Sequence, residues 1–315
     1  MSIKSKQCTP IHRIDHLLDN EIWMKRDDFI PFSFGGNKAR KAALFFEVID
    51  AGQYDCVVTY GSSSSNHCRI ISNQCAKRGI GCHIISPKEN HKPTNNSLMM
   101  ELFGAELIFS ELDQVSRTIE TVMERLKQQG KKPYFIQGGG HGNPGTQAYV
   151  QCYEEIRAFE REQKMFFDYI FFASGTGTTQ AGLVYGQLQH NEQRNIVGIS
   201  IARKNPRGRE VVIDSICEFD PTIDAERVKR HVIFEDRYIH AGYGSADDEI
   251  RAVVKEMLVR YGIPLDTTYT GKAFCGMKQY ITEHAIKGKN ILFIHTGGTP
   301  LFFDSLQEIF VSDRV

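Results

Sequence analysis

The sequence shows no excess of either charge, because 38 Lys and Arg residues balance 38 Asp and Glu residues in a chain of 315. A chain without a net positive field is poorly suited to nucleic acid or to an anionic membrane surface, so we expect neither as a partner. No stretch approaches the roughly 18 consecutive apolar residues of a membrane span, and no apolar segment follows the first six residues. These absences predict a cytoplasmic protein with a small-molecule partner.

Patterns for metals and disulfides are also missing. The eight cysteines are scattered, without a C-x-x-C pair and without the Cys and His spacing that is typical of a zinc site. We therefore expect reduced thiols and no bound metal. A chain of this length, with 41% hydrophobic residues, is long enough for a large core and predicts two domains.

Short apolar runs alternate with helical patterns along the chain, which predicts the α/β class: two domains, each a mostly parallel twisted sheet with helices on both faces. Strands are predicted at residues 56–60, 81–85, 106–109, 134–136, 168–173, 195–200 and 290–295. Helices are predicted at residues 66–77, 95–103 and 112–129. Ligands of such sheets bind beyond the carboxyl ends of the strands, where loops lead into helices.

A lysine next to a glycine pair is the first candidate for chemistry, in Phe34-Gly35-Gly36-Asn37-Lys38-Ala39-Arg40-Lys41. The two glycines permit a tight turn and the close approach of a ligand. They bring Lys38 to the point where the loop becomes a helix. A plain glycine turn before a basic helical turn would show the same pattern, so the octet alone leaves both interpretations open.

A second loop, Ser174-Gly175-Thr176-Gly177-Thr178-Thr179, follows an apolar strand and precedes a helical pattern. Free backbone N–H groups, hydroxyls and the positive end of a helix together suit a compact phosphate group. The loop lacks the lysine and spacing of an ATP-binding loop and the G-x-G-x-x-G of a dinucleotide site. An ordinary glycine turn is the alternative.

The third loop runs from Gly61 to His67 and contains four consecutive serines. Ser65 or Asn66 can cap the helix that follows, which is a common structural role. Four serines exceed what one cap requires. Their hydroxyls predict a site for a carboxylate or for the oxygen of an aromatic ring.

A lysine on a glycine loop, a phosphate loop and a serine and asparagine loop together indicate pyridoxal phosphate, whose aldehyde would condense with Lys38. Several segments resemble the D-cysteine desulfhydrase and aminocyclopropane-carboxylate deaminase family, in the family's order and over almost the whole chain. They are Lys25-Arg26-Asp27-Asp28, the octet, Ser65-Asn66-His67, Thr176-Gly177-Thr178-Thr179-Gln180-Ala181-Gly182, Tyr269-Thr270-Gly271-Lys272-Ala273 and His295-Thr296-Gly297-Gly298.

The resemblance implies the tryptophan synthase β-like fold, fold type II of the pyridoxal-phosphate enzymes, and a homodimer. We expect a larger cofactor-binding domain, residues 1–42 and 145–315, and a smaller, mobile α/β domain, residues 43–144. The catalytic residues implied are Lys38, which forms the Schiff base, Ser65 and Tyr269. The cofactor-binding residues implied, besides Lys38, are Lys41, Asn66, Gly175, Thr176, Gly177, Thr178, Thr179 and Thr270. The substrate-binding residues expected are Ser62, Ser63, Ser64, Ser65, His67, Gly139, Tyr269 and Thr296.

Thr270 falls where the family places the partner of the ring nitrogen, and the cyclopropane-opening deaminases that the chain resembles have a glutamate there. A threonine favours β-elimination of a good leaving group over the opening of an unactivated ring. The chain departs from the family pattern at Ser64, in place of a glutamine, and at Thr267-Thr268, in place of Pro-Val. The amino acid handled can therefore differ from cysteine.

These observations predict a pyridoxal-phosphate-dependent carbon–sulfur lyase or deaminase-like enzyme. It would abstract the α-proton of a small amino acid and expel a β-substituent such as sulfide, leaving pyruvate and ammonia. A β-replacement synthase and an aminocyclopropane-carboxylate deaminase are alternatives with the same cofactor. A non-catalytic protein that binds pyridoxal phosphate is the alternative of another class.

Overall fold

A computed structural model describes residues 8–88, 93–240 and 242–311, with side chains as far as residue 309. The first six residues, after which the sequence shows no apolar segment, lie outside the described residues. The strands described are β1 Ile11–Leu17, β2 Asn20–Arg26, β3 Cys56–Tyr60, β4 Gly81–Pro87, β5 Glu106–Ser110, β6 Pro133–Ile136, β7 Tyr169–Ser174, β8 Asn195–Ser200, β9 Ile233–Glu235 and β10 Asn290–His295.

The α-helices described are α1 Asn37–Ala51, α2 Asn66–Arg78, α3 Asn95–Leu102, α4 Val115–Gln128, α5 Asn143–Gln163, α6 Thr178–His190, α7 Arg207–Phe219, α8 Ala225–His231, α9 Asp248–Tyr261, α10 Thr270–Glu283 and α11 Thr299–Val311. Short 3₁₀ turns precede α1 at Asp27–Phe29 and α4 at Leu112–Gln114. No described helix is both long enough and apolar enough to cross a membrane.

The strands form two sheets. One has six strands in the order β1-β2-β10-β7-β8-β9, and the other has four in the order β5-β4-β3-β6. Every pair is parallel except β1 and β2, which form an antiparallel edge. The α/β class and the mostly parallel sheets are therefore confirmed.

The seven predicted strands and three predicted helices are present; three strands have the predicted bounds, and the ends of the other elements shift by at most three residues. The central strands were recognisable because parallel strands covered on both faces are continuous apolar runs. In β7, for example, Ile170, Phe171 and Phe172 are all fully buried. The edge strands β1 and β9 were missed, since β1 is polar and half exposed and β9 has only three residues.

The four-stranded sheet takes its strands from residues 56–136, and the six-stranded sheet takes them from residues 11–26 and 169–295. This division follows the predicted domain composition, although the domain bounds and the mobility of the smaller unit stay predictions. Loops from the carboxyl ends of β3, β6, β7 and β10 line one common cavity. The cavity therefore lies beyond the carboxyl ends of the parallel strands, where ligands of such sheets are expected.

Candidate active site

The cavity has a volume of about 690 Å³. Twelve of the predicted site residues line it: Lys38, Ser62, Ser65, Asn66, His67, Gly139, Gly175, Thr176, Gly177, Thr179, Tyr269 and Thr296. Five others are not on its wall: Lys41, Ser63, Ser64, Thr178 and Thr270. Segments that are far apart in the sequence are thus brought to one site, as the predicted residue set requires.

Lys38 lies in the first turn of α1, and its Nζ donates a hydrogen bond to the carbonyl of Gly139 at 2.8 Å. Burial lowers the pKa of Lys38 to about 8, because the charged ammonium is poorly solvated inside the protein. A lysine with such a pKa is partly unprotonated near neutral pH. Its amine is then able to act as a nucleophile or as a base.

The glycine pair before Lys38 is required by its surroundings. Gly35 and Gly36 have φ values of +60° and +89°. A Cβ at Gly35 would lie 2.3 Å from the carbonyl oxygen of Asp28, and one at Gly36 would lie 2.5 Å from that of Thr296. The same Thr296 carbonyl accepts a hydrogen bond from the N–H of Asn37 at 3.0 Å. The turn therefore holds the start of α1 against the loop that follows β10.

The glycine loop after β7 leaves the start of α6 without a side-chain cap. Gly177 is the N-cap residue, with φ +98°, and no side chain accepts a hydrogen bond from the first turn. The helices α1 and α5 also begin at glycines, Gly36 and Gly142, and also lack a side-chain cap. First-turn N–H groups without a protein partner attract an anion. The geometry therefore fits the predicted phosphate site.

Lys41 and Thr178 lie directly behind this loop rather than on the cavity wall. The Nζ of Lys41 donates to the Oγ1 of Thr178 at 2.8 Å, and that oxygen lies 3.3 Å from the carbonyl of Gly140. Burial, and next the charge of Lys38, hold the pKa of Lys41 well below its usual range. Lys41 thus braces the start of α6, and a negative charge bound at the loop would favour its protonated form.

The serine loop combines a structural and a binding role. The Oγ of Ser65 accepts a hydrogen bond from the N–H of Cys68 at 3.1 Å, so Ser65 caps α2. This cap uses a lone pair of the oxygen and does not consume the hydroxyl proton, which the sulfur of Cys68 can accept in turn. The hydroxyls of Ser62 and Ser64 lie 3.1 Å apart, and the carbonyl of Ser63 accepts from Thr94. Ser62 and Ser65 are the two members of the row that face the cavity.

The two residues that follow the serines are held by neighbouring side chains. The Oδ1 of Asn66 accepts a hydrogen bond from Asn96 at 3.0 Å. The Nε2 of His67 lies 2.9 Å from the Oγ1 of Thr59, which donates its own proton to the carbonyl of Ile136. His67 must therefore donate from Nε2. Burial keeps the pKa of His67 well below its usual range, so its ring is neutral.

Tyr269 is paired with a residue that was not among the predicted site residues. Its hydroxyl lies 2.6 Å from the hydroxyl of Tyr243, and both side chains line the cavity. Burial, and next the neighbouring Tyr243, hold the pKa of Tyr269 well above its usual range. The Tyr269 hydroxyl is therefore protonated, and able to donate, at neutral pH. The sequence places Tyr243 beside a glycine, in Tyr243-Gly244-Ser245-Ala246, and such a turn does not reveal a partner 26 positions away.

Thr270 is fully buried behind the cavity wall and is held by Asp266. Its Oγ1 donates to the Oδ2 of Asp266 at 2.8 Å and accepts from the backbone N–H of Asp266 at 2.9 Å. The same carboxylate accepts from the N–H groups of Thr268 and Tyr269 at 2.9 and 2.7 Å. Asp266 thus organises the start of α10, a role that the sequence did not indicate.

Together these features fit pyridoxal phosphate: a lysine with a lowered pKa, uncapped helix starts for a phosphate, and hydroxyl and amide groups around one cavity. Comparison with known proteins leads to the same cofactor. The family model described as pyridoxal-phosphate dependent enzyme matches residues 3–297.

Curated relatives match over nearly the full chain. The D-cysteine desulfhydrase of Yersinia enterocolitica is 32% identical over 308 residues, which cover 94% of this chain and 92% of the relative. That of Serratia proteamaculans is 31% identical over 315 residues, with the same coverage of 94% and 92%.

Solved structures match as well. The crystal structure of an ACC deaminase homologue aligns with a TM-score of 0.84 and 29% identity, over 96% of this chain and 93% of the other. O-ureido-L-serine synthase aligns with a TM-score of 0.70 and 17% identity, over 96% and 94% of the two chains, and shares the fold.

Proposed function

The chain belongs to the family of pyridoxal-phosphate-dependent enzymes, and we propose that it eliminates the β-substituent of a small amino acid, as a D-cysteine desulfhydrase does. One arrangement supports this activity most directly. The Nζ of Lys38, with its lowered pKa, lies in a cavity that the phosphate-type loop after β7 and the serine loop after β3 both reach.

When bound, pyridoxal phosphate supplies an aldehyde for attachment to lysine and a ring that withdraws electrons from the α-carbon of an amino acid. The backbone N–H groups at Gly175, Thr176, Gly177 and Thr179 would hold its phosphate, with Lys41 behind them. Asn66 would bind the phenolic oxygen of the ring. These contacts would fix the cofactor's aldehyde near Lys38.

The proton transfers fall to groups on the cavity wall. An amine with a pKa of about 8, as at Lys38, is a suitable base for the α-proton of a bound amino acid near neutral pH. The hydroxyl of Tyr269 lies on the cavity wall, 2.6 Å from that of Tyr243, and we assign to Tyr269 the proton that a departing β-substituent takes up. The raised pKa of Tyr269 keeps that proton in place until it is needed.

The substrate's α-carboxylate needs several donors once it leaves water, because an unpaired buried charge is costly. Ser62 and Ser65 bring hydroxyls to the cavity, and we assign the carboxylate to them. With cysteine as substrate, loss of the α-proton and cleavage of the C–S bond, followed by addition of water, would yield pyruvate, ammonia and sulfide.

The experiment is a measurement of pyruvate and of the released leaving group over a panel of D- and L-amino acids, with and without an added thiol. We expect pyruvate and sulfide in equal amounts from cysteine of one configuration. A new β-substituted amino acid formed only with the added thiol would instead identify a β-replacement synthase. Absence of turnover over the whole panel, with pyridoxal phosphate bound, would overturn the lyase assignment.

We further propose that the enzyme works as a homodimer in the cytoplasm. The helices α3 and α11 contact each other and expose large apolar side chains, Leu98, Leu102 and Phe303, which a second copy would cover. The eight cysteines are all free thiols, in keeping with a reducing compartment. Light scattering of the purified protein tests the dimer, which predicts twice the mass of the 35.8 kDa chain.

A further inference from the structure

An arginine on the cavity wall has no role in the mechanism described above. Arg203 lies three residues beyond β8, and its side chain lines the cavity. Its Nη1 is shielded from solvent, and no described residue accepts a hydrogen bond from it. A guanidinium nitrogen buried without an acceptor is costly. A ligand with anionic oxygens would remove that cost.

The backbone fixes the position of this arginine. The hydroxyl of Ser200, the last residue of β8, donates to the carbonyl of Arg203 at 2.6 Å and accepts from the N–H of Ala202 at 3.3 Å. The short segment after the strand is therefore tied back to the sheet. Arg203 is presented by a braced turn rather than by a free loop.

The neighbours of this turn belong to the phosphate-type loop. Strands β7 and β8 are paired in parallel with Ser174 opposite Ser200, so their two loops leave the sheet side by side. A Cβ at Gly175 would lie 3.6 Å from the side chain of Ile201, in ordinary contact. Arg203 therefore extends from the wall next to the uncapped start of α6.

The charged residues on the cavity wall also favour an anionic ligand. Its basic residues are Lys38, Arg203 and Arg207, and its acidic residue is Asp214. Asp214 pairs with Arg207 at 3.7 Å on the exposed rim, where both side chains are about 70% exposed. Burial, and next the charge of Arg207, lower the pKa of Arg203. Arg203 thus lacks a compensating anion in the described part of the chain.

We propose that Arg203 is a further cofactor-binding residue, whose guanidinium binds the phosphate of pyridoxal phosphate together with the helix-start N–H groups. A guanidinium suits this task because its planar donors match phosphate oxygens. The inference rests on the cofactor of the proposed function but not on the reaction. It is tested by the rate at which pyridoxal phosphate is released, which does not depend on the product that the enzyme forms.

The test compares holoenzymes of the unaltered protein, Arg203→Gln, Arg203→Lys and Arg230→Gln. Arg230 is exposed, does not line the cavity and changes the net charge by the same amount. Release of pyridoxal phosphate into cofactor-free buffer is followed by its absorbance at low and high salt. We expect about tenfold or faster release from Arg203→Gln, the size of one lost hydrogen bond to a charged group. Arg203→Lys should fall between, and Arg230→Gln should match the unaltered protein.

A second arm identifies the group that Arg203 contacts. The same chains are freed of cofactor and reloaded with pyridoxal, which has no phosphate. We expect Arg203→Gln and the unaltered protein to bind pyridoxal equally well. An equal loss for pyridoxal, or unchanged release of pyridoxal phosphate with a raised KM for the amino acid, would overturn the proposal. If Arg203→Gln does not fold, Arg203→Lys decides it, since unchanged release from that variant contradicts a contact made through the guanidinium.

Discussion

The glycine loop after β7 and the serine loop after β3 start their helices in opposite ways. Gly177 begins α6 without any side-chain cap, whereas Ser65 begins α2 with its own hydroxyl as the cap. The first arrangement leaves backbone N–H groups for an anion. The second satisfies the N–H of Cys68 internally and brings serine hydroxyls to the cavity. In the proposed function the first loop therefore binds the cofactor's phosphate through its backbone, and the second binds the substrate through its hydroxyls.

Lys38 lies in the same cavity as the glycine loop and the serine loop. If one loop binds the cofactor and the other binds the substrate, the cofactor must be attached at Lys38, between them. We expect Lys38→Ala to lose about 10²–10⁴-fold or more of the activity, because a base and a point of attachment disappear together. Borohydride reduction of the unaltered holoenzyme, followed by peptide mass spectrometry, should find the pyridoxyl group on Lys38. Its recovery on Lys41 instead would move the site.

The glycine loop is tested by Gly177→Ala. A Cβ there would lie 2.8 Å from the side chain of Val211, at a φ of +98° that side chains rarely adopt. Strain of about 1–3 kcal/mol at the helix start should weaken pyridoxal-phosphate binding roughly tenfold or more, as measured by titration.

The matched control is Gly262→Ala. Gly262 ends α9 with φ +66°, and a Cβ there would meet nothing within 4 Å. This variant should lose some free energy of unfolding and no cofactor affinity. Equal loss of affinity in both variants would show that the glycine loop has no special part in binding.

The serine loop is tested by Ser65→Ala. Loss of one hydrogen bond to a charged group, worth about 1.5–3 kcal/mol, should lower kcat/KM by tenfold or more. Loss of the helix cap should cost about 0.5–2 kcal/mol in the free energy of unfolding. Binding of pyridoxal phosphate should change little, which separates this loop from the glycine loop.

Asp224→Ala is the control for the cap. Asp224 caps α8 by accepting from the N–H of Glu226 at 2.9 Å and does not line the cavity. It should reproduce the loss of stability alone. If both variants lowered kcat/KM equally, the effect of Ser65 would be one of stability, and the carboxylate would have to be sought elsewhere.

The smallest expected effect concerns pH. Because the pKa of Lys38 is lowered to about 8, the rate at which the cofactor-free protein takes up pyridoxal phosphate should rise with pH and level off above about 8. The same shift makes the folded chain bind fewer protons than the unfolded chain between about pH 8 and the ordinary lysine value of 10.5. The free energy of unfolding of the cofactor-free protein should therefore rise with pH through that window, because the cost of burying a charged Lys38 disappears. An uptake rate still rising at pH 10 would contradict the lowered pKa.

Local patterns were enough to predict the fold class and the three loops. Apolar strands, glycine turns and serine runs are properties of neighbouring residues, and the carboxyl ends of parallel strands meet at one edge of a sheet. Lys38, Ser65 and Gly177 could be named for that reason.

Contacts between distant segments could not be predicted in the same way. The pairing of Tyr243 with Tyr269 joins the loop before α9 to the start of α10 across 26 positions. The bond of Thr270 to Asp266 is local, but the burial of Thr270 behind the wall depends on how α10 packs against the sheet. The unpartnered Nη1 of Arg203 is equally invisible in the sequence, where no motif includes this residue.

The sequence by itself determined which residue types stand at the strand ends, and with them the cofactor and the prediction that Lys38 attaches it, because that chemistry depends on short local segments. Only the tertiary structure decided which polar groups are already satisfied within the protein and which are left for a ligand. The reason is physical. A donor or acceptor is used or free according to what lies within about 3 Å of it, and for Tyr269 and Arg203 that surrounding is set by the packing of distant segments.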